Sequence, residues 1–202
     1  KVPGLYHNIA AVREFEALAA EYLGVKYCVA VSSCTSGLIL VQKCLGLKGE
    51  VIVPSFTFHA TAHSLIWNNL TPVFADCRID TFNIDEEKME GLINKNTSAI
   101  LAVYLYGNPP CMEKLQKIAD KHNLKLIFDA AHAFGSEYKG IKAGGFGNAE
   151  VFSLSPTKLL ITGEGGLVAT NDRLLSDKLK IARNYGDSGN YDCEFNGLNA
   201  RM

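Results

Sequence analysis

The feature that most constrains this chain is a repeated alternation of short, almost unbroken apolar runs with amphipathic helical stretches. Residues 27–31, 51–53, 72–75, 99–104 and 124–128 read as strands, and residues 38–45, 58–67 and 110–122 as helices between them. An amphipathic helix over residues 9–22, with Asn8 placed as its N-cap, precedes the series, and Asp85 caps a further short helix. A strand that is apolar at nearly every position has to be covered on both faces. The pattern therefore predicts an α/β fold, a mostly parallel sheet flanked by helices. Beyond Asp129 the chain turns Gly-rich, from Gly135 to Gly147 and again from Gly163 to Gly166, around strands at 151–153 and 167–170 and a last helix over 172–183. No linker or repeat divides the 202 residues, so they are read as one domain.

Charge excludes some partners. Lys and Arg number 20 against 21 Asp and Glu, a net charge of -1 that offers no electrostatic basis for binding nucleic acid or an anionic membrane. No run of roughly 18–20 apolar residues could span a bilayer, and Lys1-Val2-Pro3-Gly4 does not open a signal peptide, so the protein is expected in the cytoplasm. The six cysteines form no C-x-x-C pair and match no His spacing, so no metal site is expected and most should be buried thiols. With no initiator Met and no terminal signal, the chain looks cut at both ends.

Three motifs fall where strands end, which is where ligands sit in sheets of this kind. Ser32-Ser33-Cys34-Thr35-Ser36-Gly37 joins a strand to a helix, and hydroxyls with free N–H groups at a helix N-terminus suit a phosphate; the same residues also read as an ordinary N-cap. In Leu126-Ile127-Phe128-Asp129 a carboxylate closes an apolar strand and needs a partner. A pyridine nitrogen kept protonated by Asp129 would be such a partner, as would the turn that follows. Phe152-Ser153-Leu154-Ser155-Pro156-Thr157-Lys158, followed by Gly163-Glu164-Gly165-Gly166, sets a lysine in a loop on the same edge. Lysine becomes a nucleophile where its surroundings or a cofactor carbonyl capture it, although a loop lysine is also commonly just solvated.

A phosphate loop, an acid at a strand end and a loop lysine are together the parts that pyridoxal phosphate (PLP) requires. With Val53-Pro54-Ser55-Phe56-Thr57-Phe58, Thr71-Pro72-Val73-Phe74-Ala75-Asp76, Asp129-Ala130-Ala131-His132-Ala133-Phe134-Gly135 and Gly197-Leu198-Asn199-Ala200-Arg201-Met202, the sequence resembles the DegT/StrS family of sugar aminotransferases over nearly its whole length. The resemblance implies a fold-type-I PLP-binding large domain over residues 1–202, with the family's small C-terminal domain absent from the chain. It also implies a role for each matching residue. Lys158 would form the Schiff base and shuttle protons, Asp129 would pair with the ring nitrogen, Phe58 would stack on the ring and His132 would lie beside it. Thr35, Ser36 and Ser153 would hold the phosphate, and Asn199 would reach a partner subunit's cofactor.

The activity implied is transfer of an amino group from glutamate or glutamine to a nucleotide-linked keto-sugar, by a homodimer. One alternative is a catalytically inert or regulatory remnant that binds PLP or sugar; another is a phosphate-binding scaffold without PLP. Sugar dehydratases of the same family carry histidine in place of the lysine, and Lys158 argues against them. Cys34 stands where the family usually has Gly, which would place a side chain close to the phosphate.

Overall fold

The structure, a computed structural model, describes residues 9–188 and 192–202. The N-cap expected at Asn8 and the opening Lys1–Gly4 lie outside the described residues. The element order is α1 (Ile9–Leu23), β1 (Tyr27–Val31), α2 (Cys34–Cys44), β2 (Glu50–Pro54), α3 (His59–Trp67), β3 (Thr71–Ala75), α4 (Glu86–Glu90), β4 (Thr97–Val103) and α5 (Met112–His122). There follow β5 (Lys125–Asp129), the hairpin β6 (Glu137–Tyr138) and β7 (Ile141–Lys142), β8 (Ala149–Ser153), β9 (Gly166–Thr170) and α6 (Arg173–Ala182).

Seven strands form one sheet in the order β1-β9-β8-β5-β4-β2-β3. The pairs β3–β2–β4–β5–β8 are parallel, and β9 runs antiparallel to both β8 and β1. The expected mostly parallel sheet is therefore present, with one reversed strand. The link between β8 and β9, residues 154–165, carries no helix, and an antiparallel neighbour needs none.

The alternation of side chains along each strand sorts the core into two layers. Ile52, Ile100, Ala102, Leu126, Phe128 and Phe152 meet α1, α4 and α5 through Leu23, Met89 and Leu115. Val51, Val53, Leu101, Ile127, Val151 and Val168 meet α2, α3 and α6 through Leu38, Leu65 and Leu179. Burial on both faces is the physical reason the strands read as unbroken apolar runs. Glu150 is an exception: it is fully buried on β8, its Oε1 accepting the Phe146 N–H at 2.7 Å. Burial pushes this carboxyl up to about 7 against the pull of the Tyr104 hydroxyl and the Phe146 and Gly144 N–H groups. Neither Glu150 Oε2 nor the Tyr104 hydroxyl has a well-formed hydrogen bond.

Two elements differ from expectation. Helix α2 begins at Cys34 instead of Leu38, because Ser33 caps it: Ser33 Oγ accepts the Ser36 N–H while Ser36 Oγ accepts the Ser33 N–H. The Gly-rich stretch contains the β6–β7 hairpin, whose two-residue turn, Lys139-Gly140, has φ of 52° and 80°. The cysteines also depart from expectation, since only Cys28 and Cys34 are buried.

Candidate active site

Strands β1, β2, β4, β5 and β8 all end on the same edge of the sheet, and β9 starts there. Their loops enclose a cavity of about 380 Å³. Thr35, Phe58, Asp129, His132, Ser153 and Lys158 all line it, so residues more than a hundred positions apart in the chain converge on one space. Ser36 and Asn199 are not among the lining residues: the Ser36 hydroxyl is turned back into the cap, and Asn199 is exposed, accepting from Arg201 at 3.1 Å.

Asp129 ends β5 on the face covered by α2 and α3, and is 5% exposed. Its Oδ2 accepts the Thr61 hydroxyl at 2.7 Å; its Oδ1 accepts the Ala131 N–H at 3.1 Å and the Cys34 thiol at 3.8 Å. These partners are uncharged. Burial pushes the Asp129 carboxyl above its ordinary value, opposed first by the Thr61 hydrogen bond and then by Ala131, His132 and Cys34. A buried carboxylate whose own partners leave its charge unbalanced is suited to a cationic ring N–H entering the cavity. The Cys34 side chain lies against Asp129 and the Val151 carbonyl. Burial, with Asp129 beside it, holds that thiol well above its ordinary value, so it stays protonated and donates.

Lys158 lies in the connection from β8 to β9, half-buried, with Nζ 2.9 Å from His132 Nε2. Backbone bonds from Leu154 N to Gly165 O and from Thr162 N to Leu154 O pin the base of that loop. Burial, and next the Lys158 charge, hold the His132 imidazole below its ordinary value, with Asp129 acting in the opposite sense. A lysine ammonium has no lone pair, so in this contact His132 Nε2 is the acceptor. The Tyr106 ring is stacked parallel to the His132 imidazole, with centroids 6.3 Å apart.

The floor near the start of α2 depends on a close approach. A Cβ at Gly166 would come within 2.4 Å of the Ser33 carbonyl carbon, so only glycine lets β9 begin against this helix N-terminus. First-turn N–H groups of a helix lack intrahelical partners, and Cys34 and Thr35, both lining the cavity, supply them here. With the Thr35, Ser153 and Ser155 side chains, they form a polar cradle that fits a phosphate. The donor set and the buried carboxylate thus match the parts that PLP demands.

Sequence reasoning gave no role to Thr57 or Thr61, whereas Ser33 belongs to the loop read as a phosphate site or N-cap and is the N-cap of α2. A signal for Thr61 was present, because positions 61, 64 and 65 share the buried face of α3 and two of them are polar.

The model of the DegT/DnrJ/EryC1/StrS aminotransferase family matches residues 4–202. Among curated relatives, a dTDP-3-amino-3,6-dideoxy-alpha-D-galactopyranose transaminase from Aneurinibacillus thermoaerophilus is 42% identical over 202 residues, covering 98% of this chain and 56% of the relative. The solved structure of DesI in the presence of its TDP-sugar product is 44% identical, with a TM-score of 0.91, and the match covers 96% of this chain and 49% of DesI. The structure of NtdA from Bacillus subtilis with bound cofactor PMP is 30% identical, with a TM-score of 0.88 over 95% of this chain and 44% of that one. The chain spans about half the length of the curated relatives it matches.

Proposed function

Because this chain belongs to the DegT/DnrJ/EryC1/StrS aminotransferase family, we propose that residues 1–202 form the PLP-binding domain of an enzyme moving an amino group from glutamate or glutamine to a nucleotide-linked keto-sugar. The observation that carries this reading is the convergence of Lys158, His132 and the buried Asp129 on one cavity beside a capped helix start. The same residues favour a working site over an inert remnant. The family is one of PLP-dependent aminotransferases, and the relatives it matches are nucleotide-sugar transaminases.

In this reading Lys158 Nζ would hold PLP through its aldehyde, Asp129 would pair with the ring nitrogen and Phe58 would stack on the ring. Thr35, Ser153 and the first-turn N–H groups of α2 would hold the phosphate, joined by Ser36 through the cap. Bound PLP supplies an electron sink that stabilises negative charge on the carbon next to an amine. The chain's own residues handle the proton. Lys158 Nζ would be the base that takes a proton from that carbon and later returns it. His132 Nε2 accepts a hydrogen bond from Nζ and so orients the amine over the cavity. Asp129, kept from water by α2 and α3, holds its charge where it is least screened.

A homodimer, with Asn199 reaching the partner's cofactor, is part of the proposal. Exposed Trp67, Ile79 and Phe74 support further covering of this chain's surface. A cytoplasmic location also belongs to it, since the six cysteines are all free thiols. No helix among the described residues is long and apolar enough to cross a membrane.

The test is to load purified protein with PLP, reduce it with borohydride and map the modified peptide. Visible absorption that borohydride bleaches, with the adduct on Lys158, is the expected result. Adding glutamate or glutamine before reduction should convert the bound cofactor to its amine form. A protein that takes up no PLP, or an adduct on a different lysine, refutes the assignment.

A further inference from the structure

Asp129 is set by more than its own strand. The Thr61 hydroxyl, fully buried on the first turn of α3, lies 2.7 Å from Asp129 Oδ2. Four residues earlier, just before the N-cap of α3, Thr57 Oγ1 lies 2.8 Å from Thr61 Oγ1. A hydroxyl has a single proton, and that of Thr61 goes to the carboxylate, so the Thr57 hydroxyl must donate to Thr61. The result is a directed chain, Thr57 to Thr61 to Asp129, that leaves the cavity lining at Thr57 and returns to it at a carboxylate only 5% exposed. Thr57 lines the cavity; Thr61 does not.

We propose that Thr61, polarised by Thr57, is the positioning residue that fixes the rotation of the Asp129 carboxylate and keeps it ionised toward the cofactor's ring nitrogen. The proposal rests on the reading of Asp129 given above, and it assigns a function to a residue that touches neither cofactor nor substrate. The other two donors cannot replace Thr61. The Ala131 N–H and the Cys34 thiol both act on Oδ1, at 3.1 and 3.8 Å, leaving Oδ2 to Thr61. A thiol is also a weak donor, whereas O–H to carboxylate is among the strong kinds of hydrogen bond. Rotation of the carboxylate about its Cβ–Cγ bond is therefore held at Oδ2 by one side chain, and the second hydroxyl strengthens that hold because hydrogen bonds in a chain polarise one another.

The experiment compares wild type with Thr61→Val, Thr61→Ser and Thr57→Val. Aspartate labelled with carbon-13 at the side-chain carboxyl reports the Asp129 titration in the cofactor-free full chain, its resonance assigned by its loss in Asp129→Asn. Thr61→Val, which keeps shape and removes the donor, should weaken the Asp129 acid roughly ten-fold or more, the size expected for losing a hydrogen bond to a charged group. Thr61→Ser should return it to the wild-type midpoint, and Thr57→Val should move it in the same direction by less. In the PLP-loaded protein, Thr61→Val should loosen PLP and shift the pH profile of its visible band, with Thr61→Ser again restoring both.

A folded Thr61→Val whose Asp129 midpoint matches wild type overturns the proposal. If Thr61→Val does not fold, Thr57→Val decides, and an unmoved midpoint there overturns the chain of donation. Failure of the wild-type protein to bind PLP would sink the functional reading instead, while the cofactor-free titration still reports whether Thr61 governs Asp129.

Discussion

Glu150→Gln should stabilise this protein at neutral and alkaline pH, by an amount the structure allows to be worked out. Glu150 is fully buried among β8 neighbours, and its carboxyl is raised from 4.5 to about 7. Below about pH 4.5 the folded and unfolded chains both carry the proton. Between about 4.5 and 7 the unfolded chain has lost it while the folded chain retains it, so stability falls as pH rises through that window. Above it the loss is complete and constant. At roughly 1.4 kcal/mol per pH unit, the shift amounts to about 3 kcal/mol. Glutamine removes the charge, keeps an oxygen to accept the Phe146 N–H, and offers an N–H to the Tyr104 hydroxyl, which lacks a well-formed partner. Allowing about 1 kcal/mol at every pH for imperfect repacking of that hydrogen bond, the variant should gain on the order of 2 kcal/mol at pH 8 and lose up to about 1 kcal/mol at and below pH 4.5. Urea unfolding of both proteins from pH 4 to 9 measures this, and the difference between them isolates position 150 from other titrating groups. Parallel curves across the whole range would show that the buried carboxyl does not hold its proton, and would refute the reasoning.

Gly166→Ala should lower the melting temperature sharply and weaken PLP uptake, because its Cβ would meet the Ser33 backbone at 2.4 Å; calorimetry with a PLP titration checks both. Ser33→Ala removes the N-cap of α2 and should cost about 1 kcal/mol in urea unfolding. Phosphate-dependent PLP affinity should fall with it, because the cap holds the helix start that supplies the anion donors. Lys158→Ala should bind PLP without any borohydride-fixed adduct, as read by intact mass; a persistent adduct would place the covalent site elsewhere. His132→Gln should keep PLP binding and shift the pH profile of the donor half-reaction, seen in the rate of conversion to the amine form.

What the sequence by itself determined was the periodic part of the structure. Unbroken apolar runs such as 99–103 announce strands buried on both faces, and α5 and α6 were readable because their apolar residues recur every three to four positions. Lys158, Asp129 and the loop at Ser32 were legible as well, since each places a polar group where an apolar strand ends. Tertiary structure alone decided how those groups meet. Periodicity carries no information about strand order, so nothing in the chain itself announces that β8 lies beside β5, or that β9 reverses to run between β8 and β1. The Thr61–Asp129 and Cys34–Asp129 contacts join residues 68 and 95 positions apart. The direction of the Cys34 side chain was decided in the same way: a residue's place in a loop gives its neighbours in sequence, whereas packing of α2 onto β8 and β9 sets its thiol against the Asp129 carboxylate and the Val151 carbonyl.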